Sequence, residues 1–161
     1  MTLDEFMDAF GGAYEHSPWA AERGFDPDFN SPCCVIPAMR KAVDAASAIE
    51  QDMLIKAHPD LAGKLALAGG LTASSTQEQA GAGLDQCSAE ELEKFQSFNA
   101  VYKDKFGFPF IVAVKGMSRQ DILAQFEQRL ENDKDAERAA ALTQIHKIAR
   151  LRIESYFDDQ T

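Results

Sequence analysis

The sequence predicts an all-α protein: a single-domain, compact helical bundle with one short extended segment at about residues 108–114. Apolar residues recur at three- and four-residue steps along most of the chain, which is the spacing of one helix face. Several of these stretches open with a serine or threonine followed three residues later by glutamate, the pattern of a capping box. The apolar run Phe108-Pro109-Phe110-Ile111-Val112-Ala113-Val114 contains proline and β-branched residues and favours extended backbone, but it is too short to found a sheet alone. We expect one domain over residues 1–161, which is long enough to bury a core.

The first elements are predicted from caps and breakers. Thr2-Leu3-Asp4-Glu5 is a capping box that opens a first helix, and Gly11-Gly12 ends it. Ser17-Pro18-Trp19 predicts a short helix with Ser17 as its cap and proline at the first helical position. Residues 24–37 contain three prolines, one glycine, two aspartates and one asparagine, so they predict an ordered loop.

The remaining elements follow from hydrophobic spacing. Residues 38–57 predict one amphipathic helix of about five turns. Leu61, Leu65 and Leu67 predict a shorter helix that starts at Pro59. Ser88 and Ser118 each cap a further helix, the first of which Gly107 ends, and the last helix runs over about residues 135–157.

The composition limits the classes of partner. A formal charge of −10 disfavours nucleic acid and anionic membranes, and no apolar run reaches the roughly 18 residues of a membrane span. Cys33, Cys34 and Cys87 form neither a disulfide framework nor a zinc-binding pattern. With no signal peptide and no peroxisomal tail in view, we expect a cytoplasmic protein with reduced thiols, and the oligomeric state is open between a monomer and a homodimer.

His58 is the first candidate for proton transfer. It stands directly before Pro59, and because proline disfavours helical backbone at the preceding residue, the helix should end near His58. An imidazole at a helix end can point into a cleft, and its unperturbed pKa near 6.5 suits proton exchange at neutral pH. A purely structural histidine remains the alternative.

Ser75-Thr76-Gln77-Glu78-Gln79 is the second candidate stretch. It fits a capping box with Ser75 as the cap and Glu78 at the third helical position. It also fits a polar site, since free N–H groups at a helix start can hold a substrate oxygen. The two interpretations are compatible.

Arg152 is the third candidate, because it falls on the apolar stripe of the last helix, seven residues after Ile145. Arg150 lies about 140° away from Ile145 on the same helix and should face solvent. An inward guanidinium must either pair with a buried carboxylate or face a ligand, and both alternatives stay open.

The sequence offers no pattern for a bound metal or nucleotide. His58-Pro59-Asp60 lacks the spacing of helical zinc sites, and Gly81-Ala82-Gly83 matches no phosphate-binding loop. No nucleophile elbow is present for acyl transfer.

Six stretches of the chain, in order and without large insertions, carry a resemblance to one family. They are Tyr14-Glu15-His16-Ser17-Pro18-Trp19, His58-Pro59-Asp60-Leu61, residues 75–84, Phe98-Asn99-x-x-Tyr102, residues 105–111 and Leu151-Arg152-Ile153. On these residues the chain closely resembles the 2-oxo-4-hydroxy-4-carboxy-5-ureidoimidazoline (OHCU) decarboxylases of the ureide pathway.

The resemblance implies an all-helical, cofactor-free enzyme whose small-molecule substrate, OHCU, loses CO2 to give (S)-allantoin in uric acid breakdown. It implies His58, Glu78 and Arg152 as catalytic residues. The substrate-binding residues it implies are Pro59, Ser75, Thr76, Gln77, Gln79, Phe110, Ile111, Val112, Ala113 and Val114. The rival interpretations are a non-enzymatic helical binding module and a second enzyme class, an allantoin racemase or ureide hydrolase.

Overall fold

The computed structural model describes the backbone of residues 1–161 and every side chain except those of Lys64 and Leu65. Within that description no β-strand occurs, and the prediction of an all-α fold is confirmed. The helices are α1 (Leu3–Phe10), α2 (Trp19–Gly24), α3 (Pro32–Asp44), α4 (Ala48–Ala57), α5 (Lys64–Leu67), α6 (Ala73–Gly81), α7 (Ala89–Phe106), α8 (Arg119–Leu130) and α9 (Lys134–Asp159), with a 3-10 turn at Leu84–Gln86.

The chain divides into two compact units. The first comprises residues 1–57 and 145–161, and the second comprises residues 58–144. Helix α9 therefore contributes its residues up to Gln144 to the second unit and those from Ile145 to the first. The single domain expected over residues 1–161 stays a prediction.

In the first unit, α1 begins as predicted. The Thr2 hydroxyl accepts from the Glu5 N–H at 3.2 Å, and the Glu5 carboxylate accepts from the Thr2 N–H at 2.7 Å. Helix α2 confirms the predicted short helix, but the predicted cap is wrong. The Ser17 hydroxyl donates to the carbonyl of Glu15 at 3.0 Å instead of capping, and Pro18 occupies the cap position.

The prediction of a single helix over residues 38–57 is wrong, because α3 ends at Asp44 and α4 begins only at Ala48. Ser47 starts α4 with its own cap: its hydroxyl accepts from the Glu50 N–H at 3.1 Å. The Gln51 amide donates to the carbonyl of Val43 at 2.9 Å and so satisfies the end of α3.

The prediction of a loop over residues 24–37 is correct only for residues 25–31, because Gly24 ends α2 and α3 begins at Pro32. Pro32 occupies the first turn of α3, where its missing N–H costs nothing, and Pro37 is accommodated inside the helix. The break in the helix changes the buried face as well. Ile49 and Met53 are 73% and 67% exposed, whereas Leu54 and Ile55 are buried.

The second unit has an aromatic core between α7, α8 and the segment between them. Gly107 ends α7 at φ +78°, a conformation that favours glycine. The segment at 108–114 is extended, as predicted, and Phe110 stacks on Phe126 with ring centroids 3.8 Å apart. The predicted caps Ser88 and Ser118 are confirmed.

The prediction that a helix starts at Pro59 is wrong, because α5 begins only at Lys64. Ala62 takes a left-handed φ of +51°, which a helix does not admit. Leu61 is buried and Leu67 is 61% exposed, while the side chain of Leu65 lies outside the described residues.

Candidate active site

His58 is the first residue after α4, so the helix ends where the following proline predicts. Its side chain is buried, with 8% of the residue exposed. The residues after Pro59 form a turn that three side chains of the second unit contact. Two of them bind its main chain, and the third binds the carboxylate of Asp60.

Gln79 makes two of these contacts. Its Oε1 accepts from the N–H of Ala62 at 3.0 Å, and its Nε2 donates to the carbonyl of Asp60 at 3.2 Å. Asn99 donates to the carbonyl of Leu61 at 2.9 Å. The loop that follows the candidate catalytic histidine is thus fixed by amide groups from α6 and α7, which compensates for its left-handed residue.

A charged contact completes the loop's attachments. The ammonium of Lys103 lies 2.7 Å from the Asp60 carboxylate, with both side chains partly exposed. This pairing could not be predicted from sequence, because Asp60 and Lys103 lie 43 residues apart in the chain.

Helix α6 carries the second candidate stretch, and its start differs from the prediction. Thr72 caps the helix, with its hydroxyl accepting from the Ser75 N–H at 3.2 Å, so Ser75 as the cap is wrong. Glu78 therefore lies well inside α6, away from the third helical position of the capping box. Thr72 was missed because threonine and serine at neighbouring positions are both good caps.

The side chains of α6 separate into two faces. Ser75 and Gln79, four residues apart, are buried at 4% and 7% exposure, and Glu78 is half-buried beside them on the helix surface. Thr76 and Gln77 are exposed. The Thr76 hydroxyl donates to the carbonyl of Thr72 at 2.9 Å.

The extended segment carries the remaining candidates, and Phe110, Ile111, Val112, Ala113 and Val114 are all buried. Side chains hold its main chain at two points: Arg129 donates to the carbonyl of Ile111, and the Gln144 carboxamide accepts from the Ala113 N–H at 3.0 Å. The Arg129 guanidinium also lies over the Phe110 ring, 4.5 Å from its centroid.

Arg129 is itself held by a buried carboxylate. Its Nε lies 2.6 Å from Glu137, which is 0% exposed and also accepts from the hydroxyl of Tyr102. Burial, and then the bond to Glu137, raise the pKa of Tyr102, so the phenol stays a donor. Sequence reasoning missed this network, although Arg129 falls three residues after Phe126 on the apolar stripe of α8.

In the first unit, the predicted phase of α9 is confirmed. The Arg152 side chain is 10% exposed, whereas that of Arg150 is 57% exposed and pairs with Glu154 on the same helix at 3.1 Å. Arg152 Nη2 lies 2.8 Å from Glu15 Oε2, and its Nη1 donates to the carbonyl of Gly12 at 3.0 Å. Of the two alternatives for Arg152, the structure shows a pair with a buried carboxylate, that of Glu15. Binding of a substrate anion by Arg152 stays a prediction.

The described residues also bear on metal binding and on membrane insertion. No group of three His, Cys, Asp or Glu side chains there is placed to hold a metal ion. None of the described helices is both long and apolar enough to cross a bilayer. Cys33, Cys34 and Cys87 carry free thiols.

The chain is similar to known proteins over almost its whole length. A sequence model of the OHCU decarboxylase family matches residues 1–154. The 2-oxo-4-hydroxy-4-carboxy-5-ureidoimidazoline decarboxylase of Haloferax volcanii is 41% identical over 158 residues, which cover 98% of this chain and 92% of that protein. The uric acid degradation bifunctional protein of a Bacillus species (strain TB-90) is 37% identical over 159 residues, with 98% of this chain and 31% of that protein covered.

A solved structure shows the same fold. The crystal structure of an (S)-allantoin synthase matches with a TM-score of 0.75 at 30% identity. The match covers 97% of this chain and 51% of the solved chain, so this chain spans about half the length of that protein.

Proposed function

We propose, because this chain belongs to the OHCU decarboxylase family, that it removes CO2 from OHCU to give (S)-allantoin in the degradation of uric acid. The observation that carries the proposal is the family match over residues 1–154. His58, Glu78 and Arg152, the catalytic residues that the resemblance implies, all stand within that range.

The substrate can undergo this reaction without an external electron sink. When the bond to the carboxylate breaks, its electron pair passes to the adjacent C=N of the ring, and the nitrogen takes a proton. The neighbouring hydroxyl then loses its proton as the carbonyl forms, and the carbon next to it gains a proton. The protein must therefore move protons at defined atoms and deliver the last one to a single face.

His58 is assigned this proton transfer. Imidazole exchanges protons near neutral pH, and His58 stands directly after helix α4, immediately before the loop that Gln79 and Asn99 hold. The contacts of Gln79 and Asn99 hold the main chain of that loop in one place. Delivery of a proton from one side would fix the S configuration.

Glu78 is assigned to hold the ureido and ring N–H groups of the substrate. It is half-buried on α6, and its position inside the helix means that capping does not account for it. Pro59, Ser75, Thr76, Gln77, Gln79 and residues 110–114 are proposed to bind the substrate. The paired amide of Gln79 and the exposed side chains of Thr76 and Gln77 favour an indirect or main-chain role for these three.

Arg152 is assigned to the anionic substrate, because a protein of formal charge −10 needs a local cation to attract it. Tight binding of the departing carboxylate would oppose its loss, so the contact is best made with other substrate oxygens.

We further propose that OHCU is the relevant ligand, with neither nucleic acid nor membrane as a partner, and that the chain acts in the cytoplasm. The charge of −10 supports the first statement. Sedimentation velocity would decide between the monomer and the homodimer.

An assay with freshly generated OHCU tests the function against its rivals. The decarboxylase releases CO2 and produces optically pure allantoin. A racemase or ureide hydrolase would act on allantoin without releasing CO2 from OHCU, and a binding module would leave the spontaneous decay unchanged.

Glu78→Gln should lower turnover strongly while the melting temperature changes little, because the variant loses the charge that orients substrate N–H groups. Thr72→Ala is the matched control on the same helix: it removes the cap and should cost about 1 kcal/mol of stability with turnover per folded molecule intact. Steady-state kinetics and thermal melts check both, and a fully active Glu78→Gln would contradict the role.

Activity should survive dialysis against EDTA, because the sequence lacks metal-ligand spacing and the resemblance implies a cofactor-free reaction. Turnover of OHCU before and after dialysis checks this. Loss of activity that one particular divalent ion restores would overturn it.

A further inference from the structure

Tyr14 and Glu15, two successive buried residues, both contact the last helix of the first unit through their side chains. The Tyr14 hydroxyl lies 2.7 Å from Nδ1 of His146, and the Glu15 carboxylate lies 2.8 Å from Nη2 of Arg152. They are 2% and 1% exposed. The function proposed above assigns a role to neither of them.

The main chain at this point is held in a rarely adopted conformation. His16 has a left-handed φ of +48°, which costs free energy for any residue with a side chain. Ser17 supports the turn twice, with its N–H donating to the carbonyl of Tyr14 at 3.1 Å and its hydroxyl donating to that of Glu15 at 3.0 Å. The surroundings thus hold Glu15 in one place.

The Tyr14 contact forms a second attachment with a defined direction. Burial lowers the pKa of His146 and so favours the neutral ring. The nearby Asp44 carboxylate has the opposite but smaller effect. A neutral ring accepts from the Tyr14 hydroxyl at Nδ1 and donates from Nε2 to the Asp44 carboxylate 3.0 Å away. Burial raises the pKa of Tyr14, so its hydroxyl keeps the proton that it donates.

The buried pair of Glu15 and Arg152 is not explained by stability alone. Desolvation of two charges consumes most of their attraction, and apolar residues of similar volume often serve a fold as well. What a carboxylate does supply is direction, since it fixes the planar guanidinium that would otherwise sample several rotamers. The Gly12 carbonyl, which accepts from Nη1, fixes a second edge of that plane.

We propose that Glu15 is a positioning residue for Arg152. Its carboxylate sets the direction in which the guanidinium meets the substrate, and the contact between Tyr14 and His146 holds the segment that carries Glu15. The proposal rests on the proposed function, because it assigns Arg152 to the substrate.

A double-mutant cycle tests the proposal through kcat/KM for OHCU. Glu15→Gln should lose on the order of 100-fold, the cost of a misplaced binding group. In the Arg152→Ala background, measured by single turnover with enzyme in excess, Glu15→Gln should change the rate less than about twofold, because no guanidinium remains to be positioned. An equal loss in both backgrounds would mean a purely structural role and overturn the proposal, as would a fully active Glu15→Gln.

Two further variants serve as a control and as a substitute if Glu15→Gln does not fold. Glu154→Gln, which removes the exposed partner of Arg150, should keep wild-type kinetics. If Glu15→Gln does not fold, Glu15→Asp keeps the charge but withdraws it from the guanidinium. It should lower kcat/KM with an unchanged circular dichroism spectrum, and wild-type kinetics for that variant would overturn the proposal. Wild-type protein without OHCU turnover would contradict the function itself, whereas equal losses in an active protein contradict only the positioning role.

Discussion

His58→Ala is expected to abolish enzymatic turnover, with a loss of at least the roughly 10²- to 10⁴-fold that general acid–base catalysis contributes. The imidazole is the group best suited to carry the proton, and alanine has no group that could replace it. The helical circular dichroism signal should remain, because the loop after His58 keeps its contacts with Gln79 and Asn99.

The burial of His58 decides how that experiment is designed. At 8% exposure its replacement by alanine leaves unfilled space, so some stability is lost, typically about 0.5–3 kcal/mol. Turnover is therefore compared per folded molecule, and His58→Gln serves as a variant that fills more of the volume. Lys56→Ala, an exposed change two residues earlier on the chain, is the control and should behave as wild type. Substantial activity in folded His58→Ala would remove the proton-transfer role.

Arg152→Lys is expected to lose most of the catalytic efficiency, on the order of 100-fold, although the charge is conserved. Lysine lacks the planar fork that holds two acceptors at once, and the guanidinium of Arg152 contacts both the Glu15 carboxylate and the Gly12 carbonyl. Steady-state kinetics on the purified variant measure the loss.

Arg150 provides the matched control two residues away. Arg150→Lys and Arg150→Ala should both stay near wild type, because the side chain is 57% exposed and its pair with Glu154 is a surface contact within one helix. Such a pair contributes about 0.3–0.5 kcal/mol to stability. An inactive Arg150→Ala beside an active Arg152→Lys would reverse the assignment.

The inward direction of Arg152 on α9 is predictable from sequence for a physical reason. A long helix repeats its apolar spacing many times, so the inward direction of Arg152 follows from phase alone. The pairing of Arg152 with Glu15 could not be predicted in this way, because a contact between distant parts of a chain produces no periodic pattern in the sequence. The same holds for Glu137, which Tyr102 and Arg129 contact in the second unit.

The predicted helix boundaries in the first half of the chain are wrong where a capping signal and the hydrophobic spacing disagree. Residues 38–57 keep a helical period across a break, and the only local signal of that break is the capping-box pattern Ser47-Ala48-Ile49-Glu50, which starts α4. At α6 two hydroxyl residues competed for the cap, and the structure selects Thr72 over Ser75. The prolines of α3 predict a loop by composition, but Pro32 lies in the first turn, where a helix accepts proline, and the helix continues through Pro37.

The time course of optical activity during OHCU turnover tests the central claim most directly, with CO2 release recorded in the same sample. We expect wild-type protein to release CO2 in step with the appearance of (S)-allantoin alone, faster than the spontaneous decay, and we expect His58→Ala to return both signals to the rate of buffer. Racemic allantoin formed at the buffer rate in the presence of wild-type protein would contradict the account.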